Sequence, residues 1–97
     1  MRLPWTIDEV GEVVDKLDRR IWYDRKLVLL QDNYNREAMM RDNPDIVRGM
    51  LREMQKVEQQ GLEEEFPYED DFSWGMLNGR LAALRWVLGD DWTNLDT

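Results

Sequence analysis

The residues of this chain best suited to chemistry are three carboxylates near its start. Glu9, Glu12 and Asp15 recur at intervals of three residues, and this spacing places them along one side of a helix. Carboxylate oxygens are the ligands that magnesium prefers in proteins. The three residues could therefore form half of a metal site if a second acidic pair lay on a facing helix.

A second acidic pair is missing from the rest of the sequence. In all-helical nucleotide pyrophosphohydrolases, which have similar spacing, acidic pairs on two helices hold the magnesium. The helix predicted over 44–60 contains Asp45, Glu53 and Glu58, and no two of these are three or four residues apart. The helix predicted over 74–88 has no carboxylate. The spacing therefore does not support a metal-dependent hydrolase.

The composition removes the common catalytic groups as well. The chain has no histidine and no cysteine, so it lacks the commonest general base and any thiolate ligand. Glu9 is also explained as a capping residue. Glu12 and Asp15 share their side of the helix with Lys16 and Arg19, as on a solvated face. We therefore predict no enzyme, with no catalytic residue, no metal ligand and no cofactor.

The most acidic stretch has six carboxylates and three aromatic rings around Pro67. We expect an ordered or semi-ordered loop over 62–72, with a spacing unlike that of an EF-hand calcium loop. It is either a solvated acidic loop, a docking surface for a basic partner with aromatic anchors, or a partial mimic of a phosphate backbone. The candidate partner-binding residues are Glu63, Glu64, Glu65, Phe66, Tyr68, Glu69, Asp70 and Asp71.

Length and charge limit the class of protein. Ninety-seven residues are enough for one domain, which we place over 1–97. The net charge of −8 disfavours direct contact with nucleic acid or with an anionic membrane. The start of the chain lacks the apolar run of a signal peptide, and no apolar stretch is long enough to span a membrane. We therefore expect a cytoplasmic protein.

Start and stop signals divide the chain into helices. Thr6, with Glu9 three residues later, forms a capping-box pattern. Asn43 before Pro44 gives a second start, and Ser73 gives a third. Helices are therefore predicted over 7–31, 44–60 and 74–88, while residues 36–42 are helix-compatible but short. We expect an all-α fold, a small helical bundle of three main helices plus a short C-terminal turn around Trp92 and Leu95.

The last predicted helix is apolar on two sides. Its predicted core stripe consists of four leucines, of which three lie within about 40° of the first on a helical wheel: Leu77, Leu81, Leu84 and Leu88. The opposite side combines small residues with one large ring: Gly75, Gly79, Ala83 and Trp86. Glycine inside a helix costs about 1 kcal/mol relative to alanine, and such residues are favoured where another backbone approaches closely.

Two arrangements would bury both sides of this helix. It could be the central rod of the monomer, covered by the first and third helices. Alternatively, the leucines form the monomer core and the side with Gly75, Gly79, Ala83 and Trp86 meets a second copy of the chain. Because three long helices have difficulty covering one helix on both sides, we expect a homodimer.

The end of the chain carries a family resemblance. Residues 78–97 read NGRLAALRWVLGDDWTNLDT, and they resemble the ending of small uncharacterised proteins of bacterial, archaeal and phage or mobile-element genomes. The most specific part is the LRWVLGD run. The resemblance implies no activity, cofactor or catalytic residue, but it implies a phage-like or accessory-gene origin.

These observations together predict a non-enzymatic small acidic protein that acts through protein–protein contacts. Its expected role is that of a phage or mobile-element accessory protein. The alternative is an acidic inhibitor, of the anti-defence or nucleic-acid-mimic type, that binds a basic groove of a host nuclease through residues 63–71.

Overall fold

A computed structural model describes residues 4–91, which form helices and the short segments between them. In chain order the helices are α1 (Ile7–Gln31), α2 (Asn33–Asp42), α3 (Pro44–Gln59), α4 (Leu62–Glu65) and α5 (Asp71–Val87). No strand occurs within this range, so the all-α prediction is confirmed. The predicted count of three main helices is incomplete, because α2 and α4 are also present. The predicted turn around Trp92 and Leu95 lies outside the described residues.

The first helix begins and ends where the sequence predicts. The Thr6 hydroxyl accepts the backbone N–H of Glu9 at 3.1 Å, and the Glu9 carboxylate accepts the N–H of Thr6 at 3.2 Å. This reciprocal capping box satisfies two N–H groups that have no partner within the helix. Pro44 occupies the first turn of α3, as predicted.

The last helix begins earlier than predicted, and its cap is Asp70 rather than Ser73. The Asp70 carboxylate accepts the N–H of Ser73 at 2.9 Å, and the Ser73 hydroxyl accepts the N–H of Asp70 at 3.0 Å. Ser73 is therefore the third helical residue of a capping box rather than its start. The predicted loop over 62–72 is correspondingly shorter, since α4 and the first turn of α5 occupy both of its ends.

The central element of the fold is α1, which contacts all four other helices. On one side, Tyr23 packs in a buried cluster with residues of α3 and α4: Met50, Met54, Val57 and Leu62. On another side, Leu17 and Ile21 pack with Leu77 and Leu81 of α5. The partly buried ring of Phe66 contacts both clusters. The core is therefore built around α1.

The position of α5 corrects the arrangement in which it was the central rod. Within the described part of the chain, α5 packs on α1 and comes close to no other helix. Leu77 and Leu81 are fully buried against α1, and Leu84 packs beside them. Leu88 was predicted to belong to this core, but it caps the end of α5 beyond the last helical residue and is 39% exposed. Only one side of α5 is therefore covered by the residues that the structure describes.

Candidate functional site

The acidic segment, residues 63–71, is attached to α1 by a buried ion pair. Arg20 and Asp24 lie one turn apart on α1, and both are buried. The Arg20 Nε also donates to the carbonyl of Phe66 at 3.1 Å. Its guanidinium carbon lies 5.3 Å from the centre of the Tyr68 ring, which is within the range of a cation–π contact. A single arginine thus holds the backbone and an aromatic side chain of the acidic segment against α1.

Tyr68 faces the interior rather than a prospective partner. Burial raises the pKa of Tyr68, and the neighbouring negative charge of Asp24, which accepts a hydrogen bond from this tyrosine, acts in the same direction. The ring lies 4.9 Å from that of Trp74, tilted by 52°. The prediction from sequence missed Arg20 and Asp24. Their signal was available, because they form an Arg–Asp pair four residues apart in the most apolar half of α1.

Three carboxylates of the acidic segment are also used within the fold. Glu65 pairs with Lys16 of α1 at 3.1 Å. Burial raises the pKa of Tyr23 to about 12, and Glu63, which accepts a hydrogen bond from this tyrosine, adds to the effect. Asp70 caps α5, and its hydrogen bonds from Ser73 lower its pKa.

The structure therefore divides the predicted partner-binding residues into two groups. Five of them have contacts within the fold: Glu63, Glu65, Phe66, Tyr68 and Asp70. The carboxylates of Glu64, Glu69 and Asp71 are exposed. A basic partner at this segment would thus meet fewer free acidic groups than the sequence suggests.

The three carboxylates of α1 do not assemble into a metal site. Glu9 belongs to the capping box, while Glu12 and Asp15 are exposed. Asp15 lies at a groove of about 460 Å³ between α1 and α3, whose lining also includes Trp22 and Glu53. Among residues 4–91, no group of three or more carboxylates is placed so that it could hold a metal ion.

The outer face of α5, the side turned away from α1, is a continuous apolar surface. Its apolar residues cover an arc of about 120° on a helical wheel, or about 140° with Arg80, and they are Phe72, Gly75, Met76, Gly79, Ala83, Trp86 and Val87. The four large side chains are exposed by 76% at Phe72, 45% at Met76, 54% at Trp86 and 61% at Val87. Of the charged residues in α5, Arg80 alone lies on this arc, at its edge. The structure therefore brings the four predicted self-association residues to one face and adds three apolar neighbours.

The centre of this outer face is a shallow groove. A Cβ atom placed on Gly75 or Gly79 would meet nothing within 4 Å, so packing within the described part of the chain does not require glycine at either position. Each glycine nevertheless costs a helix about 1 kcal/mol relative to alanine. The groove would let a second backbone approach α5 closely.

Comparison of the chain with family models, curated proteins and solved structures finds no match. The resemblance of residues 78–97 to the ending of small phage-like proteins stays a prediction, and its last six residues lie outside the described range. None of the helices within residues 4–91 is long and apolar enough to cross a membrane.

Proposed function

We propose that this chain is a non-enzymatic protein that acts through protein–protein contacts, with the outer face of α5 as its contact surface. The observation that carries the proposal is the exposure of Phe72, Met76, Trp86 and Val87 on one side of one helix. A helix that is apolar on all sides is normally buried, and a contiguous exposed apolar patch marks an interaction site. A partner that covers this face would bury both sides of α5.

The remaining parts of the proposal have separate support. The absence of histidine and cysteine from the sequence favours a binding role over catalysis. The net charge of −8 favours a soluble protein in the cytoplasm. An origin in a phage or mobile element rests on the resemblance of residues 78–97. The three longest helices, α1, α3 and α5, would form the bundle to which the shorter helices are added.

The contact surface is tested by site-specific photo-cross-linking in living cells. A benzophenone amino acid at Phe72 would lie on the outer face of α5, whereas the same group at Tyr34 would lie on α2 with similar exposure. We expect discrete cross-linked adducts from position 72 and none from position 34. Equal adduct formation at both positions, or none at position 72, would contradict the proposal.

An acidic inhibitor of a basic protein is the second candidate. It is favoured by the exposed carboxylates of Glu64, Glu69 and Asp71 and by the exposed ring of Phe72, which follows Asp71 in the chain. A charged rim beside an aromatic anchor suits a protein interface.

Charge reversal separates this candidate from the first. Replacing Glu64, Glu69 and Asp71 with lysine should abolish binding to a basic partner if the inhibitor role is correct. Replacing Asp8, Glu12 and Glu37, which are also exposed, gives the same change of net charge elsewhere and should leave binding intact. If both triple variants bind equally well, the acidic segment is not the contact surface.

A further inference from the structure

We propose that a second copy of this chain covers the outer face of α5, with the two α5 helices antiparallel and crossing near Gly79. This inference rests on the proposed function and names the partner of the same surface. It is carried by the order of side-chain sizes along α5, by the opposed dipoles of two antiparallel helices and by the area available for burial.

Five of the seven residues of the outer face are symmetric in size about Gly79, while Met76 and Val87 have no counterpart on this face. Phe72 and Trp86 lie seven residues on either side of Gly79, which corresponds to about 10 Å along the helix axis. In an antiparallel pair centred on Gly79, Phe72 of one copy is level with Trp86 of the other. Gly75 of one copy is then level with Ala83 of the other. Small residues thus meet at the crossing point and large rings meet at both ends.

This size pattern suits an interface between two identical surfaces. A twofold dimer uses the same patch on both copies, so the patch must be complementary to itself. The open space at Gly75 and Gly79 allows close approach of the two backbones at the centre. The exposed rings of Phe72 and Trp86 could then pack on each other on both sides of the axis.

The helix dipoles favour the antiparallel orientation. Arg85, in the last turn of α5, pairs with Asp18 of α1 at 2.6 Å, so its charge is used within one chain. A parallel pair would align the dipoles of the two α5 helices, whereas in the antiparallel pair the two dipoles oppose each other.

The area is sufficient for a specific dimer. An aromatic side chain presents about 150–250 Å² of surface, and Phe72 and Trp86 expose more than half of theirs. With Met76, Val87 and the small residues between them, each copy offers roughly 500 Å². The two copies together would bury about 1000 Å², which is the lower limit for a specific protein interface.

The experiment combines the mass in solution with a test of register. Analytical ultracentrifugation of the intact chain up to about 100 µM, which detects a dimer bound by about 6 kcal/mol or more, should give twice the 11.7 kDa of one chain. The chain has no cysteine, so Gly75→Cys and Ala83→Cys introduce unique thiols. In the antiparallel pair these positions face each other across copies. An oxidised mixture of the two variants should therefore give several-fold more disulfide-linked dimer than either variant alone.

The controls separate this inference from the proposed function. A mixture of Gly75→Cys with Tyr34→Cys, an exposed position on α2, should stay unlinked. A monomeric mass at every concentration overturns the inference, as does linkage of each α5 variant with itself in preference to the mixture. If the chain is monomeric but the photo-cross-linker at Phe72 captures another protein, the inference fails and the proposed function stands. If position 72 gives no adduct either, both fail.

Discussion

The acidic segment and the outer face of α5 are adjacent regions, and both are candidate interaction surfaces from sequence. Within the structure they differ sharply. The aromatic rings of Phe66 and Tyr68 pack against the core, and three carboxylates of the segment have partners inside the chain. The outer face of α5 keeps four large apolar side chains exposed. The density of charge is thus a poorer guide to an interaction surface here than the position of each residue relative to α1.

The physical cause of the difference is the number of neighbours that each region has. The acidic segment lies between α3 and α5 along α1, so its polar groups find donors on α1 such as Arg20 and Lys16. Helix α5 has α1 as its sole close neighbour among the described helices. One neighbour can cover one side of a helix, and the other side stays open.

The largest effect is expected from removing the anchor of the acidic segment. Arg20→Met leaves Asp24 buried without its cationic partner, which should lower the free energy of unfolding by about 3–5 kcal/mol. Arg80→Met, at the exposed edge of the outer face, removes the same charge and should cost less than about 0.5 kcal/mol. Urea unfolding of both variants measures the difference. Similar losses would show that the segment is not held by Arg20.

Substitutions on the two sides of α5 should also differ in their effect on the free energy of unfolding, by a somewhat smaller amount. Leu81→Ala leaves a cavity against α1 and should cost about 3 kcal/mol. Met76→Ala on the outer face should cost less than about 1 kcal/mol. The comparison is made by urea unfolding at low protein concentration, where association contributes little. A cost at Met76 that approached the cost at Leu81 would mean that the outer face is covered within one chain.

The burial of Tyr23, with Glu63 beside it, predicts a loss of stability at high pH. The folded-state pKa of about 12 lies above the ordinary value of 10.0, so the folded chain holds the tyrosine proton more tightly than the unfolded chain. The resulting stability, on the order of 2 kcal/mol, is complete below pH 10 and is lost as the pH rises towards 12. Titration of tyrosinate absorbance in a Tyr34→Phe, Tyr68→Phe background, which leaves Tyr23 as the one tyrosine of the chain, should show this late step. A Tyr23 that ionises near pH 10 would contradict its burial in the core.

The smallest effect concerns the cap of α5. Asp70→Ala should lower stability by less than Leu81→Ala, whereas Asp71→Ala, one residue later, should change it little. Because the folded-state pKa of Asp70 is below its ordinary 3.8, the contribution is present above pH 3.8 and is lost as the pH falls through the folded value. Thermal melts at neutral and acidic pH test this. If Asp70→Ala lowered the melting temperature as much at acidic pH as at neutral pH, the ionised cap would not be the cause of the loss.

The parts of the fold that depend on local signals were predictable. The capping box at Thr6 set the start of α1, and Asn43 with Pro44 set the start of α3. The start of α5 was missed because Asp70 and Ser73 are both good caps, and sequence alone does not show which of the two closes the box.

Tertiary neighbours could not be predicted in the same way. The two apolar sides of α5 follow from periodicity, but which of them is covered depends on where α1 packs, and α1 is the one described helix close to α5. The internal roles of Glu63 and Glu65 depend on contacts about 40 or more residues apart in the chain, with Tyr23 and Lys16. No local pattern indicates such pairs.

The central claim is that the outer face of α5 is an interface between two copies, and Gly79→Glu tests it most directly. A Cβ atom at this position meets nothing within 4 Å among residues 4–91 of one chain, and glutamate favours the helix more than glycine does. At the crossing point of a dimer, the same substitution would bring two like charges together. Gly11→Glu on α1 is the matched control, since that glycine is also unobstructed.

The measurement is sedimentation of the wild-type chain and the two variants at equal concentration, with a thermal melt of each. The account predicts a dimer for the wild type and for Gly11→Glu. It predicts an 11.7 kDa monomer with undiminished helix content for Gly79→Glu. A wild-type monomer, or a Gly79→Glu variant that sediments as the same dimer, would contradict it.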